Sequence, residues 1–208
     1  MEILMKKRLL QLFYLSLITG ILLFITTGCL MGLGQQPYVA VKYYDLTTPP
    51  QIVLKNVQVR FLPFDSTEPT KFKMVYRKAD GQMVLDDYNK WIQTPPLLLT
   101  RYMQSAFKQN GLISKNSELV IDANIFMFRI DLAKGTTSLG VSYVIKKSID
   151  DTEREVFQNS TVFSHKFEKE GPEHFVKAMS ECASDLIKTI QKDIQTIQKH
   201  RISVTKKK

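Results

Sequence analysis

Few side chains in this 208-residue sequence stand at spacings that could support catalysis or metal binding. The three histidines, His165, His174 and His200, show no metal-ligand spacing with one another, with cysteine or with a carboxylate. Two carboxylate pairs, Asp86–Asp87 and Asp150–Asp151, are adjacent in the sequence and fall in predicted turns. Neighbouring side chains in a turn point apart, so we interpret both pairs as solvated turn residues rather than acid–base partners.

Sequence motifs of common catalytic sites are missing as well. The sequence contains no G-x-S-x-G, no phosphate-binding P-loop and no G-x-G-x-x-G. We therefore predict a protein that is not an enzyme and needs no cofactor. An exported hydrolase, whose catalytic groups meet only in the folded chain, is kept as an alternative.

The thiol of Cys29 stands in a context that predicts a covalent modification. It follows a cationic start, Lys6–Arg8, and an apolar run, Leu9–Ile25, which together are typical of an export signal. Gly28 and Cys29 resemble a bacterial lipobox, in which the cysteine thiol takes a diacylglyceryl group and becomes the mature N-terminus. We predict cleavage between Gly28 and Cys29 and a covalent lipid on Cys29.

An uncleaved membrane helix is the alternative interpretation of this region, because residues 9–28 form a stretch of about 20 residues that could span a bilayer. Both interpretations place residues 30–208 outside the cytoplasm and attached to a membrane. Residues 29–37 contain two glycines and end in a proline, so we predict a flexible tether with a reach of about 25 Å. Two or more acyl chains would make the attachment lasting.

Without residues 1–28 the formal net charge falls from +9 to +7, and Arg201 and Lys206–Lys208 contribute four of these seven positive charges. The rest of the exported region is only modestly positive, so we expect no nucleic-acid partner. Lysines on one side of the last predicted helix are interpreted as a solvated face, with membrane contact as the alternative. They are Lys177, Lys188 and Lys192.

Cys182 has no cysteine in the exported region to pair with except Cys29, so we predict no disulfide. It falls on the apolar stripe of the last predicted helix. We therefore predict that its thiol is buried in the core and unreactive.

Hydrophobic periodicity and turn residues divide residues 38–200 into strands and helices. The predicted strands are residues 52–62, 72–77, 83–85, 118–130, 137–146 and 155–167. A first helix begins with Thr94 as its N-cap, has two prolines in its first turn and ends at Asn110–Gly111. A second helix runs from residue 171 to about residue 199 with one apolar stripe.

This order of elements is typical of the α+β class. We predict a single, mainly antiparallel sheet with two helices packed on one face, preceded by a lipoprotein signal peptide. The predicted organisation is a signal peptide over residues 1–28, a tether over 29–37, one domain over 38–200 and a disordered basic tail over 201–208.

The strand predicted over residues 118–130 changes its pattern near its middle. Up to Ile125 the odd-numbered residues are mostly apolar and the even-numbered ones more polar, so one face of the strand is apolar. Beyond Ile125 the even-numbered residues Phe126, Phe128 and Ile130 are apolar as well. A β-bulge at residues 125–126 would turn these three side chains toward the core. A straight strand would instead leave them on the face away from the helices, as a patch for a partner subunit or a lipid chain.

Five short stretches carry a family resemblance. They are Lys42–Leu46, Val57–Pro63, Met74–Arg77, Tyr88–Trp91 and Pro95–Leu97. Their order and spacing, over most of residues 42–195, resemble the ABC-type transport auxiliary lipoproteins (PqiC-like). In that family the corresponding patterns are V-x-V-x-x-L-P, an I-V-Y-R strand and a W-x-x-P-L helix entry. The Arg-Pro pair that usually precedes the second strand is absent here.

The resemblance implies a non-enzymatic accessory or docking subunit of an envelope lipid transport system. Its implied partners are an MCE-domain protein and an ABC transporter. It also implies a lipid-anchored, periplasm-facing protein, and Leu30 after the lipidated cysteine fits outer-membrane sorting. An assembly or secretion lipoprotein that binds an outer-membrane barrel protein is kept as a further alternative, and association into a homo-oligomer is left open.

Overall fold

The computed structural model of the chain describes residues 7–8, 12–19, 38–54, 57–68, 71–108, 118–149 and 152–205. The chain divides into two compact units, Met1–Val39 and Ala40–Lys208. In the first unit residues 7–8 and 12–19 are helical, and we designate the longer stretch α1. Within the described residues no helix is both long enough and apolar enough to cross a membrane.

The described part of the second unit contains the six predicted strands and the two predicted helices in the predicted order, together with two further short strands. The strands are β1 (Lys42–Tyr44), β2 (Val59–Phe61), β3 (Asp65–Ser66), β4 (Lys73–Arg77), β5 (Met83–Trp91), β6 (Leu119–Asp131), β7 (Thr136–Ile149) and β8 (Thr152–Lys166). The helices are α2 (Pro95–Ala106), between β5 and β6, and α3 (Pro172–Thr205), after β8. The predicted α+β class is confirmed.

The strands of this unit form one sheet in the order β1-β5-β4-β6-β7-β8, with β2 and β3 paired to β6. The long ladders, β6 with β7 and β7 with β8, are antiparallel, as is the hairpin of β4 and β5. The parallel pairings, β1 with β5 and β2, β3 and β4 with β6, are only two or three residues long. The sheet is therefore mainly antiparallel, as predicted.

Helices α2 and α3 pack on the same face of the sheet. Leu186 and Ile194 on the apolar stripe of α3 lie in one core cluster with Leu98 of α2 and Val141 of β7. Apolar residues at three- and four-residue steps share one side of a helix, which explains why that side is buried. Both described helices of this unit therefore lie on one face of the long strands, and we call the other face the open face.

The first predicted strand is shorter than expected. Among the described residues of this range, 52–54 and 57–62, only Val59–Phe61 pair as a strand, in parallel with Leu119–Ile121 of β6. The chain then pairs with β6 again at Asp65–Ser66, inside a stretch that the sequence indicates as a loop. A two-residue parallel pairing has too few residues to show an alternating pattern.

Helix α2 begins where the sequence predicts and ends earlier. Pro95 occupies the first turn and Thr94 the N-cap, but the hydroxyl of Thr94 makes no capping hydrogen bond. The helix ends at Ala106, followed by Lys108 with a positive φ of 54°. The helix has therefore already ended before the predicted cap at Asn110–Gly111, which lies outside the described residues.

The last three elements are longer than predicted. Strand β7 continues to Ile149 and pairs there with Thr152 of β8, where the sequence predicts a connection over residues 147–154. Helix α3 continues to Thr205 and so includes part of the segment predicted as a disordered tail.

Candidate interaction surface

The predicted lipid-attachment site at Cys29, with cleavage after Gly28, lies outside the described residues. The lipobox and the alternative uncleaved helix over residues 9–28 therefore stay predictions.

A β-bulge in β6 explains the change of pattern in this strand. The register of β6 against β7 shifts between Ile125 and Met127. Beyond the shift Phe128 and Ile130 point toward the helices and are only 2% and 1% exposed. The ring of Phe128 packs edge-to-face against Trp91, with the ring centroids 5.2 Å apart. Phe128 and Ile130 are therefore core residues, and the alternative that placed them in an exposed patch is wrong.

Phe126 differs from these two residues because it lies on the open face. Leu139 and Val141 point into the core, so the Cβ position of the intervening Gly140 points to the open face. A Cβ built on Gly140 would lie 2.5 Å from the ring of Phe126 and 2.8 Å from the Cβ of Met127. Phe126 and Met127 therefore cover Gly140, and both are half-buried. The bulge therefore turns Phe128 and Ile130 toward the core and leaves Phe126 on the open face.

The open face combines this apolar area with a polar depression. Val162 of β8 pairs with Gly140 and is 48% exposed, so it extends the apolar area toward the sheet edge. A depression of about 600 Å³ lies on the same face. Its polar lining residues come from β3, β6, β7 and β8 and include Asp65, Asp122, Asn124, Ser142, Gln158 and Ser160. A surface of this kind can bury apolar side chains and exchange hydrogen bonds with a partner.

Ion pairs balance charges on this side of the sheet. Lys146 lies 2.8 Å from Asp122, and this hydrogen bond raises the pKa of Lys146. Arg60 of β2 lies 2.9 Å from Glu153 of β8. A nucleic-acid-binding surface presents mainly unpaired positive charges, whereas the charges described here are paired with charges of opposite sign.

Asp86 and Asp87 do not lie in a turn as predicted, because strand β5 continues past Leu85 to Trp91 and includes both residues. Their side chains nevertheless point to different partners. Asp87 forms an ion pair with Lys73. The carboxylate of Asp86 accepts hydrogen bonds from the hydroxyl of Tyr76 at 2.7 Å and from the backbone N–H groups two and three residues further on. Burial alone would raise the pKa of Asp86. The side-chain amide of Asn89, which donates to the carboxylate at 2.8 Å, outweighs burial together with the hydrogen bonds above, so the pKa is lowered. The other predicted pair, Asp150–Asp151, lies outside the described residues.

His165 is held between two carboxylates of α3. Its Nδ1 lies 3.2 Å from Glu181 and its Nε2 lies 2.8 Å from Asp185. The two ring nitrogens point in different directions, so the contacts link β8 to α3 and do not converge on one point. In the part of the chain that the structure describes, no group of three or more His, Cys, Asp or Glu side chains could hold a metal ion.

Cys182 is buried in the core, as predicted. Its sulfur lies 3.6 Å from the carbonyl oxygen of Phe163 and 3.7 Å from that of Thr137. Burial raises the pKa of its thiol to about 11. A thiol that stays protonated at neutral pH is a poor nucleophile.

Sequence reasoning missed Gly140, and it interpreted Asp86 only as a solvated turn residue and missed its hydrogen bonds within the sheet. A glycine inside a regular strand pattern signals that another group approaches the backbone closely, so Gly140 could have been found. Asp86 gave no comparable signal, because its hydrogen bonds form within an irregular part of β5. There Lys73 of β4 faces Lys90, whereas Val75 faces Leu85.

Comparison with known proteins identifies similar folds and no family. No family model and no curated protein match the chain. One similar crystal structure, of an uncharacterised protein, has a TM-score of 0.61 and 13% identity, over 74% of this chain and 99% of the other. Another, a Xanthomonas campestris protein of the DUF330 family, has a TM-score of 0.62 and 15% identity, over 77% of this chain and 99% of the other. At these identities the likeness shows the fold alone.

A third structure, from Caulobacter crescentus, is described as a candidate lipoprotein. It aligns with 49% of this chain and 80% of its own at 13% identity, with a TM-score of 0.35. A TM-score this low supports no conclusion about the present chain.

Proposed function

We propose that this chain is a membrane-anchored lipoprotein that serves as a non-enzymatic docking subunit of an MCE/ABC-type envelope lipid transport system. A lipid on Cys29 anchors it, at the outer membrane and facing the periplasm. The observation that carries the docking role is the open face of the sheet. Among the described residues of the second unit, both helices lie on one side of the long strands, and Phe126, Met127 and Val162 lie on the other.

Separate observations support the two parts of the proposal. The export signal with its lipobox supports the anchor, and the five stretches between Lys42 and Leu97 support the transport system. The likeness to the DUF330 protein supports the α+β architecture only.

Copurification from cross-linked cell envelopes tests the docking role. The full-length protein should retain an MCE-domain protein and an ABC transporter. Val162→Lys should lose them, because it puts a charge into the exposed apolar part of the open face, where it should not unfold the protein. Gln195→Lys, at an exposed position of α3, is the matched control and should retain both partners.

Two outcomes contradict the proposal. Recovery of an outer-membrane barrel protein without an MCE-domain protein would favour an assembly or secretion lipoprotein. Equal recovery of the partners with wild type and with Val162→Lys would exclude this part of the open face as the docking surface.

A further inference from the structure

The two edges of the sheet differ in how they are protected. At one edge β1 is three residues long, and its neighbour β5 contains an irregular segment after Leu85. Short strands and irregularities commonly prevent an edge from pairing with another chain. At the other edge β8 is 15 residues long, and among the described strands it pairs only with β7.

Beyond the register shift at Val156, the central part of β8 lacks the usual protection of an edge strand. From Val156 to Ser164 its sequence contains no proline, no lysine or arginine and no carboxylate. The charged residues of the strand lie at its ends, in Glu153–Glu155 and at Lys166. Natural edge strands normally carry charges, prolines or bulges, so a long uncharged edge is either an aggregation hazard or a place where another strand binds.

The backbone groups that face this free edge follow from the hydrogen bonding. The N–H of Phe167 donates to the carbonyl oxygen of Gly135 at 3.1 Å and so points toward the β7 side. The direction alternates along an antiparallel strand, and the register has no shift between residues 157 and 166. The N–H groups that point to the free edge are those of Gln158, Ser160, Val162 and Ser164.

Helix α3 packs beside this edge, on the helix side of the sheet. Phe157 and Phe163 project from β8 to the helix side of the sheet, where they pack against the core and are only half-buried. At the end of the edge near His165, α3 contributes Glu181 and Asp185. The side chain of Glu181 is 46% exposed. An added strand would therefore meet aromatic rings along its length and a carboxylate at one end.

We propose that the free edge of β8 binds an extended segment of a partner protein by strand addition. The segment carries apolar side chains at alternate positions, which cover Phe157 and Phe163, and a lysine or arginine that pairs with Glu181. A second copy of this chain fits less well. The antiparallel register that pairs Phe157 with Phe163 of the other copy would also place Arg154 against Lys166 at both ends. The inference deepens the proposed docking function and rests on it only for the identity of the partner.

Peptide binding to the full-length protein in detergent tests this inference. The probes are fluorescent peptides of about ten residues that alternate valine and threonine, with one lysine at the first, central or last position. At least one should bind saturably. Bound peptide should slow amide hydrogen exchange at Gln158, Ser160, Val162 and Ser164 and leave exchange in α2 unchanged.

Ser160→Pro isolates the contribution of the edge. The substitution removes an N–H that points to solvent, and it leaves every hydrogen bond between β8 and β7 in place. The fold should therefore persist, while the affinity for the peptide falls roughly tenfold or more. Ser160→Thr keeps the N–H and is the matched control with unchanged affinity. If Ser160→Pro does not fold, Val162→Pro removes another N–H of the same kind, and the exchange measurement on the wild type needs no variant.

Glu181→Lys tests the charged end of the edge. It should shift the preference of the protein from the lysine-containing peptides to matched peptides that carry glutamate instead.

Three results would overturn the inference. They are failure of every peptide to bind, equal affinity of the Ser160→Pro and Ser160→Thr proteins, and concentration-dependent protection of the same amides without peptide. The last result would assign the edge to a second copy of the chain. Edge binding without recovery of an MCE-domain protein from envelopes would refute the proposed transport partner and leave strand addition standing.

Discussion

At the scale of single residues, the buried carboxylate of Asp131 illustrates how polar groups stabilise the sheet. It accepts hydrogen bonds from Arg77 and from the backbone N–H of Lys134, each at 3.0 Å. Burial alone would raise the pKa of Asp131, but these hydrogen bonds and the nearby positive charges outweigh it and lower the pKa. A buried carboxylate is tolerated where such partners replace water.

The lowered pKa of Asp131 predicts a dependence of stability on pH. Because the folded-state pKa lies below the unfolded value of about 3.9, the stabilisation is present above that pH and is lost as the pH falls through the folded pKa. We expect the free energy of unfolding to decrease below about pH 4, and to decrease less for Asp131→Asn. Urea unfolding across this range measures both, and identical slopes for the two proteins would contradict the assignment.

The buried position of Phe128 predicts that truncating its side chain greatly lowers the free energy of unfolding. Phe128→Ser should lower the free energy of unfolding by about 3–5 kcal/mol, because it removes a buried ring that packs against Trp91. Phe72, which is 45% exposed, provides the control, and Phe72→Ser should cost much less. Chemical denaturation compares the two variants. Similar losses would show that Phe128 is not in the core.

At the scale of elements, the length of a periodic segment decided how well the sequence predicted it. The stripe of α3 and the alternation of β7 and β8 extend over many residues, and their place in the fold was predicted correctly. Strand β3 and the short parallel pairings were missed, because each depends on where a strand distant in the sequence, β5 or β6, lies in space. The bulge in β6 was one of two alternatives, and only the pairing with β7 distinguishes them.

The two sides of α3 should respond differently to a new charge. Leu186 is fully buried, whereas the side chain of Lys188 is 64% exposed and pairs with Asp185. Leu186→Asp should prevent folding, because an unpaired carboxylate would enter the core. Lys188→Asp should fold and stay soluble. Circular dichroism and solubility of the purified variants test this, and equal behaviour would contradict the placement of the helix.

At the scale of the whole molecule, the candidate surface was harder to predict than the fold. Phe126 was recognised from the sequence as one of three apolar residues with an uncertain side. Met127 and Val162 join it only because β6, β7 and β8 pair at Gly140. Contacts between strands that are distant in the sequence have no local pattern, so a surface built from them becomes visible only in the folded chain.

The proposed anchoring depends on Cys29, which lies outside the described part of the chain. Cells labelled with a radioactive fatty acid should incorporate label into the wild-type protein. Cys29→Ser should take up no label and remain as a larger precursor held by its uncleaved signal. An unlabelled wild-type protein would favour the uncleaved membrane helix over residues 9–28.

Affinity for a purified partner tests the docking claim most directly. The full-length protein in detergent is titrated with the MCE-domain protein recovered from cross-linked envelopes. The account predicts saturable binding that Val162→Lys weakens and Gln195→Lys leaves unchanged. No saturable binding, or the same affinity for the wild type and Val162→Lys, would contradict it.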